Sequence, residues 1–172
     1  MTTDIYVCSL SRLEETVEQT GARYVVSAIN PWAIPETPTS VDGNNHLKMA
    51  INDIDAPHGD LVHPETSHIK HLIDFAKRWN KDGPLVIHCL AGISRSSASA
   101  FIVACTLNGD ASEAVIALAL RQASETAHPN PLMIRLADEL LERDGRMIAA
   151  IQALPPSAAT MEANTYSIAS CF

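Results

Sequence analysis

Residues 84–96, Pro-Leu-Val-Ile-His-Cys-Leu-Ala-Gly-Ile-Ser-Arg-Ser, constrain this chain more than any other stretch. The apolar run Leu85-Val86-Ile87 is short and bounded by Gly83-Pro84, so it reads as a buried strand ending at His88. Cys89 follows. Five residues with Gly92 at their centre then lead to Arg95, which opens an apolar, helix-compatible segment running to about residue 107 and stopping before Gly109. A strand, a glycine-bearing loop and a helix in such quick succession call for an α/β arrangement. The loop then lies beyond the carboxyl end of its strand, where ligands of open α/β sheets bind.

The rest of the chain supplies partners for this unit. Residues 4–10 and 23–29 are rich in β-branched and aromatic side chains and read as strands. Residues 46–52 alternate, with Leu47, Met49 and Ile51 on one face and Lys48, Ala50 and Asn52 on the other, which predicts a third strand. A helix is expected from Ser11, with Glu14 completing a capping box, to Thr20 before Gly21. Prolines and Gly43 mark residues 31–45 as a long loop, and Pro57 and Gly59 lie in a second one, residues 53–63. Pro64 suits the first turn of a helix in which Ile69, Leu72, Ile73, Ala76 and Trp79 share a face. After residues 95–107, expected to be apolar on one side, helical patterns cover 112–124, 131–143 and 146–154. The order predicts an α/β fold with a mostly parallel central sheet flanked by helices and a helix-rich C-terminal half. Residues 1–154 would form a single catalytic domain and residues 155–172 a tail. Tyr166, Ile168 and Phe172 could anchor that tail, and packing and disorder both remain open for it.

Composition narrows the function. With 172 residues, 47% apolar and 19% charged, the chain can bury a core, so disorder is not the default. A net charge of −8 disfavours nucleic acid or an anionic membrane as the main partner. No run approaches the roughly 18 apolar residues of a membrane span. The start does not resemble a signal peptide, and Cys8, Cys89, Cys105 and Cys171 show no metal-ligand or CxxC spacing, so free thiols in a reducing cytoplasm are expected.

The loop has the parts of an anion site. Successive backbone amides of Leu90, Ala91, Gly92, Ile93 and Ser94 can curl into a nest. The N-terminus of the following helix adds unpaired N–H groups and the positive end of its dipole. Arg95 can grip two phosphate oxygens with its planar fork. The same surroundings favour the thiolate of a cysteine, and a thiolate beside a cradled phosphate is set up for in-line displacement through a phosphocysteine. No metal and no other cofactor is required. Ser96 could donate a hydrogen bond to the departing thiolate, and His88 is better placed to orient the loop than to act as a base. The leaving oxygen needs a proton, for which a loop aspartate is the natural donor. Asp53, Asp55 and Asp60 are the candidates. Asp53 is favoured because a strand end fixes position better than a loop, with Asp55 as competitor. If the strands at 46–52 and 84–88 are parallel neighbours, Asp53 and Cys89 overlook one crevice.

His88-Cys89-x5-Arg95-Ser96 resembles the signature of the cysteine-dependent protein tyrosine phosphatase superfamily. Ala91-Gly92-Ile93-Ser94-Arg95-Ser96 looks most like the compact dual-specificity branch, and is similar to small bacterial tyrosine-phosphatase-like proteins. Asn52-Asp53-Ile54, the helix carrying Trp79, Pro129-Asn130 and Gly145-Arg146-Met147 support the resemblance, which covers about residues 4–154. It implies Cys89 as nucleophile, Arg95 as phosphate clamp and a loop aspartate as general acid, without a metal. The stretch from Asp53 to the next helix is a few residues longer than in typical compact members.

The expected substrate is a phosphotyrosine-containing protein or a small aryl or alkyl phosphate, with inorganic phosphate as product. No residue between Cys89 and Arg95 is basic, which disfavours polyphosphoinositides. A module that binds phosphorylated ligands with little turnover is the main alternative, and a thiol redox protein using Cys89 is a third reading. Outside this function, Cys89 would be a buried strand-end cysteine, Asp53 a turn residue and Ser96 a helix-terminal serine. His46, His58, His63, His68 and His71 match no standard metal site and read as loop and solvated-helix residues. Trp32 and Trp79 read as core or rim packing.

Overall fold

The computed structural model describes residues 3–172. Five strands, β1 (Asp4–Ser9), β2 (Tyr24–Ile29), β3 (His46–Ala50), β4 (Leu85–Cys89) and β5 (Tyr166–Ala169), form one sheet in the spatial order β3-β2-β4-β1-β5. The first four run parallel, and β5 lies antiparallel on β1. Among the described residues six α-helices complete the fold: α1 (Leu13–Thr20), α2 (Thr66–Arg78), α3 (Arg95–Leu107), α4 (Glu113–Ala123), α5 (Pro131–Leu140) and α6 (Arg146–Gln152).

Both faces of the sheet are covered. Cys8, Val25 and Val86 point to one face and pack with Leu13 and Val17 of α1. Their strand neighbours Val7, Val26 and Ile87 point to the other, into the larger core built with α2 to α6. This is why β4 reads as an unbroken apolar run rather than an alternating one. Each wholly buried aliphatic or aromatic side chain there contributes about 1.5–3 kcal/mol.

Helix α3 differs from expectation. It is buried on all sides from Arg95 to Cys105, not on one, because β1, β2 and β4 lie against it together with α2, α4 and α5. Its Ser and Ala residues are small enough for that packing. Ser99 returns its hydroxyl to the Arg95 carbonyl at 2.7 Å. The first helix also differs. Leu10–Arg12 is a 3-10 turn and α1 begins at Leu13 with Arg12 as N-cap. Ser11 is therefore no cap, and its hydroxyl instead donates to the distant carboxylate of Glu162. A reciprocal capping box forms at α2, between Glu65 and His68, which leaves Pro64 just outside the helix. The stretch after Pro156 packs: β5 covers the edge of β1, pairing Tyr166 with Val7 and Ile168 with Ile5. β3 and β4 are parallel but not neighbours, because β2 runs between them. Among the described residues no helix is long and apolar enough to cross a membrane.

Candidate active site

Cys89 is the last residue of β4 and only 2% exposed. The loop of residues 90–94 turns above it and feeds α3 at Arg95. Gly92 has φ +75°, in the left-handed region, and a Cβ on it would stand 3.0 Å from the Cys8 carbonyl carbon and the Ser9 amide nitrogen. Only glycine meets both demands, so the loop lies flat on the end of β1. Four of the five loop carbonyls face outward to fixed partners. Leu90 O accepts from Leu10 N at 3.2 Å, Ala91 O from Ala163 N at 2.9 Å, Ile93 O from His128 N at 3.0 Å and Ser94 O from Asn130 N at 3.3 Å. Among the described residues, no carbonyl pairs with the amides of Leu90, Ala91, Gly92, Ile93 or Ser94. A loop with bound carbonyls and free consecutive amides is a concavity of partial positive charge.

Arg95 is 3% exposed. Its Nη1 donates to Asn30 Oδ1 at 2.8 Å and to Ile51 O at 2.7 Å. Nε is buried without a partner. The protein thus holds one corner of the guanidinium and leaves the Nε side for an external acceptor, the demand a bidentate oxyanion meets. Ser96 Oγ lies 3.1 Å from Cys89 Sγ.

A cavity of about 540 Å³ is lined by Cys89, Leu90, Ala91, Ile93, Ser94 and Arg95, and also by Asn30, Trp32, Asn52, Asp53, Ile54 and Leu61. Asp53 and Cys89 therefore overlook one crevice even though β2 separates their strands. Asp53 Oδ1 accepts from Ser94 Oγ at 2.7 Å and from Asn130 Nδ2 at 2.9 Å. Asp55 lines an adjoining recess with His58, His128 and Asn130. Asp60 lines neither space. Two asparagines shape this edge, Asn30, which sequence reasoning did not single out, and Asn52, noted only within Asn52-Asp53-Ile54. Asn52 closes the loop that carries Asp53, its backbone N donating to Val62 O at 2.7 Å and its Oδ1 accepting from Val62 N at 2.9 Å. Asn30 braces Arg95. Asn130, noted only in the Pro129-Asn130 pair, caps α5 through Met133 N while its amide holds Asp53. A polar residue directly after a strand, or before a Pro-opened helix, was the available signal.

Behind Cys89 runs a buried hydrogen-bond chain. His88 Nδ1 lies 3.2 Å from the Cys89 carbonyl, and its Nε2 lies 2.6 Å from Ser27 Oγ. Ser27 Oγ is 2.7 Å from His46 Nε2, and His46 Nδ1 is 2.9 Å from Thr37 Oγ1. The carbonyl can only accept, which fixes every direction. Thr37 donates to His46, His46 to Ser27, Ser27 to His88, and His88 to Cys89 O. Burial lowers both rings to about 4, with Lys48 and His88 adding to the effect at His46 and Arg95 at His88. Both stay neutral at ordinary pH, as the chain requires. His88 thus orients the loop backbone, and His46 is a core histidine, not the loop residue expected from sequence. Burial also pushes the Cys8 and Cys105 thiols up to about 12. All four cysteines are free.

No protein-family model and no curated protein matches the chain. Solved structures do. DUSP15 aligns over 89% of this chain and 94% of its own at TM-score 0.59 and 18% identity. Human DUSP28 aligns over 80% and 87% at TM-score 0.58 and 19% identity. The chain has the dual-specificity phosphatase fold. The Cydia pomonella PTP-2 phosphatase extends the likeness over 96% of this chain and 99% of its own, at TM-score 0.57 and 15% identity. In this phosphatase fold the loop after β4 stands at the carboxyl edge of the sheet, with Asp53 on the β3 side and Trp32 on the rim, 76% exposed. Trp79 instead lies in the core.

Proposed function

We propose that this chain is a phosphomonoester hydrolase of the protein tyrosine or dual-specificity phosphatase kind, working through a phosphocysteine on Cys89 without a metal. The observation that carries the reading is the free amides of residues 90–94 together with the unpartnered Arg95 Nε, arranged around a buried cysteine. Cys89 Sγ attacks phosphorus, the S–P bond forms and the bond to the leaving oxygen breaks. Asp53 gives that oxygen its proton. Oδ1 is occupied by Ser94 and Asn130, so Oδ2 is the oxygen that carries it. The amides and Arg95 hold the equatorial oxygens throughout. Water then yields a proton to Asp53 and attacks phosphorus, the S–P bond breaks, and inorganic phosphate leaves. Ser96 Oγ donates to the departing thiolate.

The substrate class favoured is phosphotyrosine or another aryl phosphate. Trp32, Leu61 and Leu90 are exposed apolar side chains of the cavity wall, and Arg95 is the only Lys or Arg in its lining. Such a wall suits one phosphoryl group on an aromatic carrier rather than a polyphosphorylated one. The free thiols support a reducing compartment such as the cytoplasm.

The test is hydrolysis of p-nitrophenyl phosphate with chelator present, for wild type, Cys89→Ser, Asp53→Asn and Asp55→Asn. Turnover that survives Cys89→Ser would sink the mechanism. Loss of the acid-dependent step in Asp55→Asn but not Asp53→Asn would move the proton donor into the adjoining recess. Phosphopeptide binding by wild type without any turnover would make the chain a binding module.

A further inference from the structure

In a loop whose amides turn inward, the carbonyls turn outward, and their partners decide whether the loop keeps its shape. Three segments share that task here. The end of β1 takes Leu90 O, the connection between α4 and α5 takes Ile93 O and Ser94 O, and the C-terminal segment takes Ala91 O through the amide of Ala163. Ala163 is 3% exposed, at 2.9 Å from that carbonyl. Next to it, Glu162 Oε1 accepts from Ser9 Oγ and Ser11 Oγ. Ser9 is wholly buried and is the register partner of Cys89. The bonds from Ser11 and Ser9 hold the Glu162 carboxyl below its usual range, so it is an anion at neutral pH.

The segment also touches the other brace. Ser157 Oγ lies 3.1 Å from His128 Nδ1, and Ala158 N donates to Glu125 O at 2.8 Å. Beyond Ala163 the chain enters β5 and is fixed along β1. It therefore runs from one support of the loop to the other, with its direct bond to the loop, Ala163 N to Ala91 O, between them.

We propose that residues 157–169 form a latch that sets the conformation of the Cys89–Arg95 loop, with Glu162 and the Ala163 amide as positioning groups. The proposal rests on reading that loop as the phosphate site. The latch acts on the anion cradle from behind, through the carbonyl of Ala91, and contributes no residue of its own to the cavity lining. Anything that lifts the segment, whether a partner, a cut or a changed charge at Glu162, releases Ala91 O and loosens the amides on either side of it.

Three point variants test this without cutting the chain, since truncation would uncover the edge of β1. Glu162→Ala removes the acceptor for Ser9 and Ser11, Glu162→Gln keeps an oxygen there, and Ala163→Pro removes the donor to Ala91 O. The measurements are KM and kcat for p-nitrophenyl phosphate, competitive inhibition by inorganic phosphate, the melting midpoint, and hydrogen exchange at the amides of residues 90–94. Weakening of phosphate inhibition by about fivefold or more in Glu162→Ala and Ala163→Pro is expected, with Glu162→Gln within about twofold of wild type. Exchange of the loop amides should quicken while β4 and α3 keep their protection. Unchanged inhibition and unchanged loop exchange in both variants overturn the latch. So does a uniform rise in exchange with a lowered midpoint, which would make the segment a general brace. Should wild type turn over no phosphate ester and bind no phosphate, the functional reading fails, and loop exchange in the same variants still decides the latch.

Discussion

Ser27 is the junction of the buried chain behind the nucleophile, and its replacement by alanine has a cost that can be worked out in advance. Ser27 is wholly buried in β2, and its hydroxyl oxygen is 2.7 Å from His46 Nε2 and 2.6 Å from His88 Nε2. Alanine fits the space but leaves a buried donor on His46 and a buried acceptor on His88 unpaired. Each such group costs about 1–3 kcal/mol, so Ser27→Ala should lose about 2–6 kcal/mol. That is a large fraction of the roughly 5–15 kcal/mol that holds a typical domain together. At about 2–4 °C per kcal/mol for a domain of this size, the melting midpoint should fall by roughly 5–20 °C. Urea unfolding followed by circular dichroism measures the first quantity, and a thermal melt the second. Ser99→Ala is the control. Ser99 is equally buried, but its hydroxyl bonds to the Arg95 carbonyl within α3, so its loss orphans no side chain. The two variants should differ by at least about 1 kcal/mol. Equal stabilities, or a Ser27→Ala loss below about 0.5 kcal/mol, would refute the assigned hydrogen-bond directions and the accounting built on them.

Acid should unfold this protein through the same pair. The folded values of about 4 at His46 and His88 lie below the ordinary 6.5. Between those limits the unfolded chain binds more protons, so stability is full above pH 6.5 and falls as pH drops toward 4, by on the order of 3 kcal/mol per ring. Denaturant midpoints measured from pH 7.5 to 4 check this, and a flat profile would contradict it. Asn130→Ala removes the cap of α5, about 1 kcal/mol, and one of the two bonds to Asp53 Oδ1, leaving only that from Ser94. The expected result is a modest drop in melting midpoint with a fall in kcat of about 10–100-fold, from misplacing the proton donor. Gly92→Ala forces a left-handed alanine against the β1 backbone. Phosphate inhibition should vanish while circular dichroism still reports a folded chain.

The local pieces of the site were legible because they are encoded by neighbours in sequence. An apolar run, a cysteine, a glycine-bearing connection and an arginine opening a helix specify strand, loop and helix in order, and the structure has β4, the loop and α3 there. The position of Asp53 beside the loop was legible for a related reason, since it stands two residues beyond Ile51, at the end of a stretch whose alternation is plain. Ser11 shows where such reasoning stops. Its spacing to Glu14 fits a capping box, but β1 ends against the loop and Glu162, more than 150 residues away in the chain, takes the hydroxyl instead. Helix α3 looked one-sided because its serines count as polar in a pattern, although Ser97 and Ser99 are buried with their hydroxyls returned to backbone carbonyls and Ser96 with its hydroxyl against Cys89 Sγ.

What the sequence determined by itself was the fold class, the strand–loop–helix unit and the chemical types at its ends, all of which depend on periodicity and on residues within one turn or strand of each other. The tertiary structure alone decided that β2 separates β3 from β4, that Thr37, His46, Ser27 and His88 form one chain, that Asn30 and Asn130 hold Arg95 and Asp53, and that residues 157–169 brace the loop. Each of these joins groups far apart in sequence through a hydrogen bond of about 3 Å. Such a bond has no periodic signature, since the residues that make it are brought together only by the packing of the sheet and its helices.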